Sequence, residues 1–571
     1  MHSAPLGRWL AALEGGALDG LLTHLYGPEA AAWRRHYREA LHRFAESFGA
    51  GGEVVIARCP GQMNAMGVHI DYGGMPSIRL AVRGRDTLTV ARANPDGRVR
   101  LRNVLRYPGE PEEKFPPIEF DLGDVLPAEN VGTREALMAY AARVCNERQR
   151  RTGSLQVSDW SVLVEGQLVY LESRLRGRVP FHGFDGLVWS NVSPSGGMSS
   201  SSALVISTAC AALGVHGLDP RQDLELVDLV DGVGTSEWIR GTRGGTADHG
   251  GMVMGRAGRL VSVGVFPARP QGEAVLPEDY VAFVMDSGVP RVYDDAVKEE
   301  TVIAYPLGTF AVRDLLLPRL AADPDFSGLV PDWRQRTVFI RDITLDNLGL
   351  SLPALYRLLR GVPARTTLGE LEAWARREGA GEAWQEVQRR EVAGKFPHIT
   401  PEYPVLLRRR CVYGLAEQDR VRYLLEYINA GDMPTALELI RVSHDGDLDQ
   451  EVEDAVLADR EARARRGEER ARLCFLPGGY GRMTPAYDRV VRLINAFLLE
   501  RGGASAGSVQ RFGAGWGGNI GGLVRRQFVE GERQDELRRL LREELGLEVD
   551  PAACVATPGE GAGLLEAPPR V

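Results

Sequence analysis

The sequence predicts an α+β fold, and three observations carry that expectation. Strand-like and helix-like segments are mixed along the chain without the regular alternation of a parallel βαβ design. At 571 residues the chain is several times the usual domain size, so two or three packed domains with ample core are expected. A hydrophobic content of 44% with 25% charged residues is ordinary for a globular protein and argues against wholesale disorder or a fibrous repeat.

Residues 1–48 mix apolar and charged positions at helical spacing, as in AAAWRRHYREALHRFAESFG, and read as a helical N-terminal extension. Over residues 53–105 the stretches EVVIARCP, TLTVARAN and RVRLRNV are rich in β-formers and are separated by turn signals such as NPDG, which predicts a strand-rich layer. Helical patterns dominate from about 130 to 240, including TREALMAYAARVCNERQR and SSSALVISTACAAL, with a strand-like GLVWSNV between them. We take 49–289 as one domain, 290–400 as a helical insertion of charged, proline-punctuated pieces, and 401–549 as a second domain. The last stretch, 550–571, is rich in Pro, Gly and Ala and is expected to be a flexible tail.

Acidic residues outnumber basic ones by 77 to 68, so the chain has no general attraction for nucleic acid or an anionic membrane surface. An anionic small molecule then needs a local site. The six cysteines are scattered without a C-x-x-C pair, which fits a reducing cytoplasm better than a disulfide framework or a zinc knuckle. Glu14 and Asp19 interrupt the start of the chain, and no run of ~18 apolar residues occurs, so neither export nor membrane spanning is expected.

Three segments bear chemistry. In SPSGGMSSSSALVISTACAAL, Gly196 and Gly197 allow close backbone approach to a polyphosphate, and the following helix offers unpaired N–H groups and its positive dipole end. Serine hydroxyls there suit magnesium. Serine and glycine also favour ordinary loops and caps, so this segment alone leaves both readings open. No G-x-x-x-x-G-K-[ST] occurs, which excludes a Walker A loop. The second segment, ARCPGQMNAMGVHIDYGGMPSIRLAV, sets His69, Asp71 and Tyr72 between two glycine turns, a cluster suited to hydroxyl recognition or to satisfying a strand end. The third, GAGWGGNIGGLV, contains G-x-G-x-x-G at Gly513, Gly515 and Gly518, but it lacks the strand before and the helix after that a dinucleotide site requires.

In this order and at these separations the three segments resemble the signature motifs of the GHMP kinases, most closely those of the galactokinase group. CPGQMNAMGVHIDYGG is similar to the sugar-binding signature through Pro60, Gly61, Asn64, Gly67, His69, Asp71, Tyr72 and Gly74. GGMSSSSAL resembles the phosphate loop, and GAGWGG the third motif. SEWIRGTRGGTADHGG looks like the stretch that carries a glutamate and the catalytic aspartate, and RCVYGLAEQDRV with its later S-H pair resembles the family's E-x-x-R helix. The resemblance implies a two-lobed fold, with a ribosomal-protein-like N-terminal lobe and a ferredoxin-like C-terminal lobe. It implies an ATP- and magnesium-dependent kinase acting on the anomeric hydroxyl of galactose or a galactose-like sugar, with no nucleic-acid or membrane partner.

It also implies roles. Asp248 is the base; Ser201 and Glu237 hold magnesium, with Ser200 close behind. Ser195, Gly196, Gly197, Met198, Ser199, Ser200 and Ser201 cradle ATP together with Gly513, Gly515 and Gly517, while His69, Asp71 and Tyr72 meet the sugar. Two positions depart from the pattern. Gln62 stands where galactokinases carry an arginine, and Val68 stands where they carry a glutamate for the sugar's hydroxymethyl group. Arg243, in the loop before Asp248, is our expected replacement for the missing cation. Val68 opens the pocket to galacturonate or L-arabinose as well as galactose. Two alternatives accompany this reading: a sugar- and ATP-binding sensor weakened in catalysis by Gln62, and a GHMP kinase for a non-sugar alcohol.

Overall fold

The computed structural model describes residues 2–154, 159–194, 196–241, 243–292, 294–513 and 515–569. The fold is α+β and divides into two compact units: 1–64 with 79–275 and 556–571, and 65–78 with 276–555.

The first unit is built on a sheet in which Ala4–Pro5, Glu53–Met66, Ser77–Ala93, Phe184–Ser190, Arg98–Leu105 and Ile118–Asp121 lie side by side. Ser77–Ala93 and Phe184–Ser190 run antiparallel with Val90 opposite Leu187, and Arg98–Leu105 joins the latter in parallel with Leu101 opposite Gly186. Successive side chains of a strand leave on opposite faces. Val55, Ala57 and Cys59 therefore enter one core, where they meet Val164, Leu168, Val205 and Ile206 of the helices Ser161–Leu175 and Ser200–Val215. Val54 and Ile56 enter the other, against Trp9, Tyr26, Trp33 and Phe44. Both faces are covered, which is why VVIARC reads as a continuous run without polar alternation.

Two segments read as appendages belong to this unit's core. Residues 1–48 form the helices Leu6–Glu14, Asp19–Tyr26 and Ala30–Phe48, whose buried faces cover the second side of the sheet. The end of the chain, expected to be mobile, adds the strand Gly563–Leu564 opposite Arg58 and Ala57. Arg58 donates from Nη1 to the carbonyls of Glu560 and Gly561 at 3.0 and 3.1 Å, and Leu565 is buried. Small residues here serve close packing: a Cβ on Gly561 would lie 2.4 Å from the Val253 carbonyl oxygen.

In the second unit Gly507–Arg511, Asn519–Arg525 and Tyr280–Asp286 form an antiparallel sheet, with Leu523 opposite both Ser508 and Ala282. The helices Leu407–Asn429, Met433–Asp445 and Pro485–Gly502 belong to the same unit. Residues 290–400, expected as an insertion, are helical in Asp295–Phe310, Leu352–Gly361 and Leu368–Arg377, and they share this unit's core. A Cβ on Gly308 would meet Cys411 Sγ at 2.2 Å, so Asp295–Phe310 lies hard against Leu407–Asn429.

Candidate active site

In the first unit the helix Ala247–Val253 presents Asp248 beside the strands that carry Gln62 and Arg79. It can approach them because its next residues are small. A Cβ on Gly251 would come within 2.8 Å of Arg79 Cβ, and one on Gly250 within 2.3 Å of Val263.

Four side chains interlock. Arg79 Nη1 donates to Asp248 Oδ1 at 2.5 Å and to Gln62 Oε1 at 3.1 Å. Gln62 Nε2 donates to Asp248 Oδ1 and to Ser199 Oγ, each at 3.1 Å. Ser199 Oγ completes the ring by donating to Asp248 Oδ2 at 2.5 Å. Only one orientation of the Gln62 amide satisfies this arrangement, with the acceptor toward the guanidinium and the donor toward the carboxylate. The Asp248 side chain is 38% exposed and that of Arg79 only 5%, so the carboxylate opens outward while its cation stays behind it.

This corrects one expectation. Arg243 does not meet Asp248: its Nη1 donates to the Trp238 carbonyl at 2.9 Å, and its guanidinium carbon lies 5.2 Å from the Trp238 ring. The cation beside the candidate base is Arg79, from the strand Ser77–Ala93. Its sequence signal was an arginine inside the apolar run SIRLAV, which motif reading passes over.

The serine-rich segment leads into the buried helix Ser200–Val215. Gly197 has a φ of 79° and Ser199 one of 57°, a left-handed conformation that costs a serine energy and turns the chain into the helix. Met198 accepts a hydrogen bond from the Gln62 backbone at 3.2 Å, which ties the loop to the strand beneath it. Ser195 lies outside the described residues. Glu237 opens the turn Glu237–Arg240, and its Oε1 meets His249 Nε2 at 2.9 Å. Ser200 and Ser201 occupy the first turn of their helix. Magnesium takes few protein ligands, all hard oxygens, so one carboxylate and one hydroxyl suit it.

The second unit holds the rest of the sugar-type motif. His69 sits at a φ of 62° with its ring stacked on Tyr480, 4.1 Å between centroids, and its Nε2 accepts from Arg511 Nη1 at 2.5 Å. Burial, then the cations Arg511, Lys298, Arg410 and Arg291, hold the imidazole well below its usual pKa, so it is neutral. Asp71 and Tyr72 begin the turn Asp71–Gly73. Val68 is buried, and its carbonyl accepts from the Tyr413 hydroxyl at 2.9 Å.

The E-x-x-R helix has a structural task here. Glu417 accepts the Gly67 N–H at 2.9 Å, the Ser443 hydroxyl at 2.8 Å and Arg420 Nε at 2.6 Å, with both charged side chains fully buried. It pins the start of the motif loop. The glycine segment is the turn of the hairpin Gly507–Arg511 to Asn519–Arg525, which rules out a strand–loop–helix dinucleotide site. Gly513, Gly515 and Gly517 have φ of 73°, 91° and 131°, and a Cβ on Gly517 would strike the Pro290 carbonyl oxygen at 2.2 Å.

Residues 163–256, which include the serine loop, Glu237 and Asp248, match the GHMP kinases N terminal domain. The chain therefore carries a GHMP kinase domain. Over 258 residues it is 25% identical to the L-arabinokinase of Arabidopsis thaliana, covering 42% of this chain and 23% of that protein. Over 266 residues it is 26% identical to the galactokinase of Lactococcus lactis subsp. lactis strain IL1403, covering 45% of this chain and 55% of that one. The matches thus span about a quarter and about half of these two relatives. The Lactococcus lactis galactokinase solved with galactose superposes with a TM-score of 0.56 at 17% identity, covering 91% of this chain and 97% of that one. The GHMP kinase fold thus extends beyond the matched domain. Among the described residues no helix is long and apolar enough to cross a membrane.

Proposed function

We propose that this GHMP kinase domain protein transfers the γ-phosphoryl group of ATP to the anomeric hydroxyl of galactose or a galactose-like sugar. The observation that carries the reading is Asp248, a partly open carboxylate with one oxygen on a buried guanidinium and the other on Ser199. In-line transfer needs a positioned hydroxyl, a group that takes its proton, and neutralisation of phosphate charge. Asp248 takes the proton as the sugar oxygen bonds to phosphorus and the bond to the ADP oxygen breaks. Arg79 and Gln62 hold the carboxylate in one rotamer.

Gly196, Gly197, Met198 and the serines from 199 to 201 offer backbone and hydroxyl donors to the phosphates at a helix N-terminus. Gly513, Gly515 and Gly517 contribute side-chain-free backbone. Ser201 and Glu237 would hold magnesium, which supplies positive charge to the phosphate oxygens. His69, Asp71 and Tyr72 are assigned to the sugar, with Val68 as an apolar wall where a hydroxymethyl-binding carboxylate is absent. The six cysteines are free and buried, in keeping with work in a reducing cytoplasm. The sensor alternative rested on the cation lost at Gln62, and Arg79 removes that support.

The test is ADP release with MgATP over galactose, galacturonate, L-arabinose, N-acetylgalactosamine, glucose and mevalonate. Turnover on a sugar that vanishes in Asp248→Asn is expected. Turnover on mevalonate alone, or on nothing, would overturn the proposal.

A further inference from the structure

The second unit gathers buried positive charge around His69. Arg511 touches its ring, and Lys298, Arg410 and Arg291 lie close enough to act on its charge. Arg410 Cζ stands 5.1 Å from the centroid of Tyr480, the ring on which His69 stacks, and Lys298 Nζ stands 5.9 Å from that of Tyr72. Two of these cations have carboxylate partners: Arg511 Nε donates to Asp447 Oδ2 at 2.5 Å, and Arg410 Nη2 to Glu300 Oε2 at 2.7 Å.

Those pairs do not use up the guanidinium donors. Arg410 and Arg511 are each 1% exposed, yet Arg410 Nε and Nη1 and Arg511 Nη2 have no hydrogen-bond acceptor. A buried N–H without an acceptor costs about 1–3 kcal/mol, and more on a charged group. Three such donors beside one histidine mark a place where acceptors are to arrive from outside. Neutral hydroxyls answer them weakly. A carboxylate offers two oxygens with charge, in the geometry a guanidinium fork prefers.

Val68 bears on the same question: the wall that would repel a carboxylate if it were glutamate is apolar in this chain. We infer that the His69 pocket takes a sugar bearing a carboxylate, a hexuronate, with the guanidiniums of Arg410 and Arg511 and the ammonium of Lys298 as its anion-recognising groups. This rests on the proposed kinase reading for the chemistry performed on the sugar, and not for its binding.

Galactose and galacturonate form the discriminating pair because they differ only in the oxidation state of one exocyclic carbon. Calorimetry on the full chain is expected to give a Kd for galacturonate about tenfold or more below that for galactose. Lys298→Met, on a partly exposed helical turn, and Arg410→Lys, which keeps a cation for Glu300, are each expected to bring the ratio of the two Kd values close to one. Galactose binding as tightly as galacturonate would overturn the inference, and so would a preference that survives both variants. The kinase reading fails on a different result: absence of ADP release from either sugar with MgATP, whatever the binding shows.

Discussion

Replacing Arg79 by glutamine is the sharpest perturbation of the Asp248 cluster. Arg79 Nη1 serves two acceptors, Asp248 Oδ1 and Gln62 Oε1. Its loss removes a fixed charge from behind the carboxylate and leaves the buried Gln62 carbonyl without its donor. The unsatisfied acceptor costs about 1–3 kcal/mol of local stability, which loosens the rotamer of the base. Removal of a preorganised charged donor costs about 10²–10³ in kcat. Arg79→Gln is therefore expected to lower kcat about a hundredfold or more with a smaller change in KM, measured by coupled ADP release. Position 62 supplies the control. Gln62→Arg alone puts a second guanidinium against the first, a repulsion of up to ~4 kcal/mol at an effective dielectric of about 20, and is expected to impair the enzyme. The double variant, with arginine at 62 and glutamine at 79, restores one cation and one amide with their places exchanged, and is expected to exceed both single variants. Arg79→Gln within threefold of the wild type, or a double variant no better than either single, would refute the reasoning.

Further predictions concern stability and geometry. Gly251→Ala forces its Cβ to within 2.8 Å of Arg79 Cβ, so it is expected to lower kcat by displacing the arginine while leaving the unfolding midpoint within a few degrees of wild type. Glu417→Ala removes the acceptor of Gly67, Ser443 and Arg420 and leaves a buried guanidinium uncompensated; chemical denaturation is expected to show a loss of about 3–5 kcal/mol. His216 is pushed down to about 4, first by burial, and it is tied as a neutral ring between the Ala212 carbonyl and the His182 N–H. Its folded pKa lies below the unfolded value, so the unfolded chain binds more protons in that window. The stability it contributes is complete above about pH 6.5 and is lost as pH falls toward 4, by up to ~3 kcal/mol. Denaturation midpoints of wild type and His216→Gln across that range read the difference, and equal slopes would contradict it.

Much of the site was legible because its chemistry is local. Glycines at 513, 515 and 517 advertise positive φ in a tight hairpin, and a serine run before a small-residue helix advertises a helix N-terminus, since both depend on neighbours in the chain. Arg79 was not legible. It acts on Asp248 across 169 positions, and an arginine within SIRLAV carries no mark of the partner it meets. Arg243, nearer in sequence to Asp248, faces Trp238 instead. The tail misled for a related reason: its glycines and prolines signal mobility by composition, whereas the sheet edge and the Arg58 side chain that hold it lie some five hundred residues earlier.

The sequence by itself determined the α+β class, the three motif segments and their order, and the residue types able to take a proton, hold magnesium and meet a sugar. Each follows from local propensity or from chemistry carried within one short segment. Only the tertiary structure decided which arginine stands behind Asp248, that residues 1–48 are half the cover of a sheet, and that Arg410 and Arg511 keep unanswered donors beside His69. Those facts depend on which distant side chains share a buried volume, where a charge must find its partner in space.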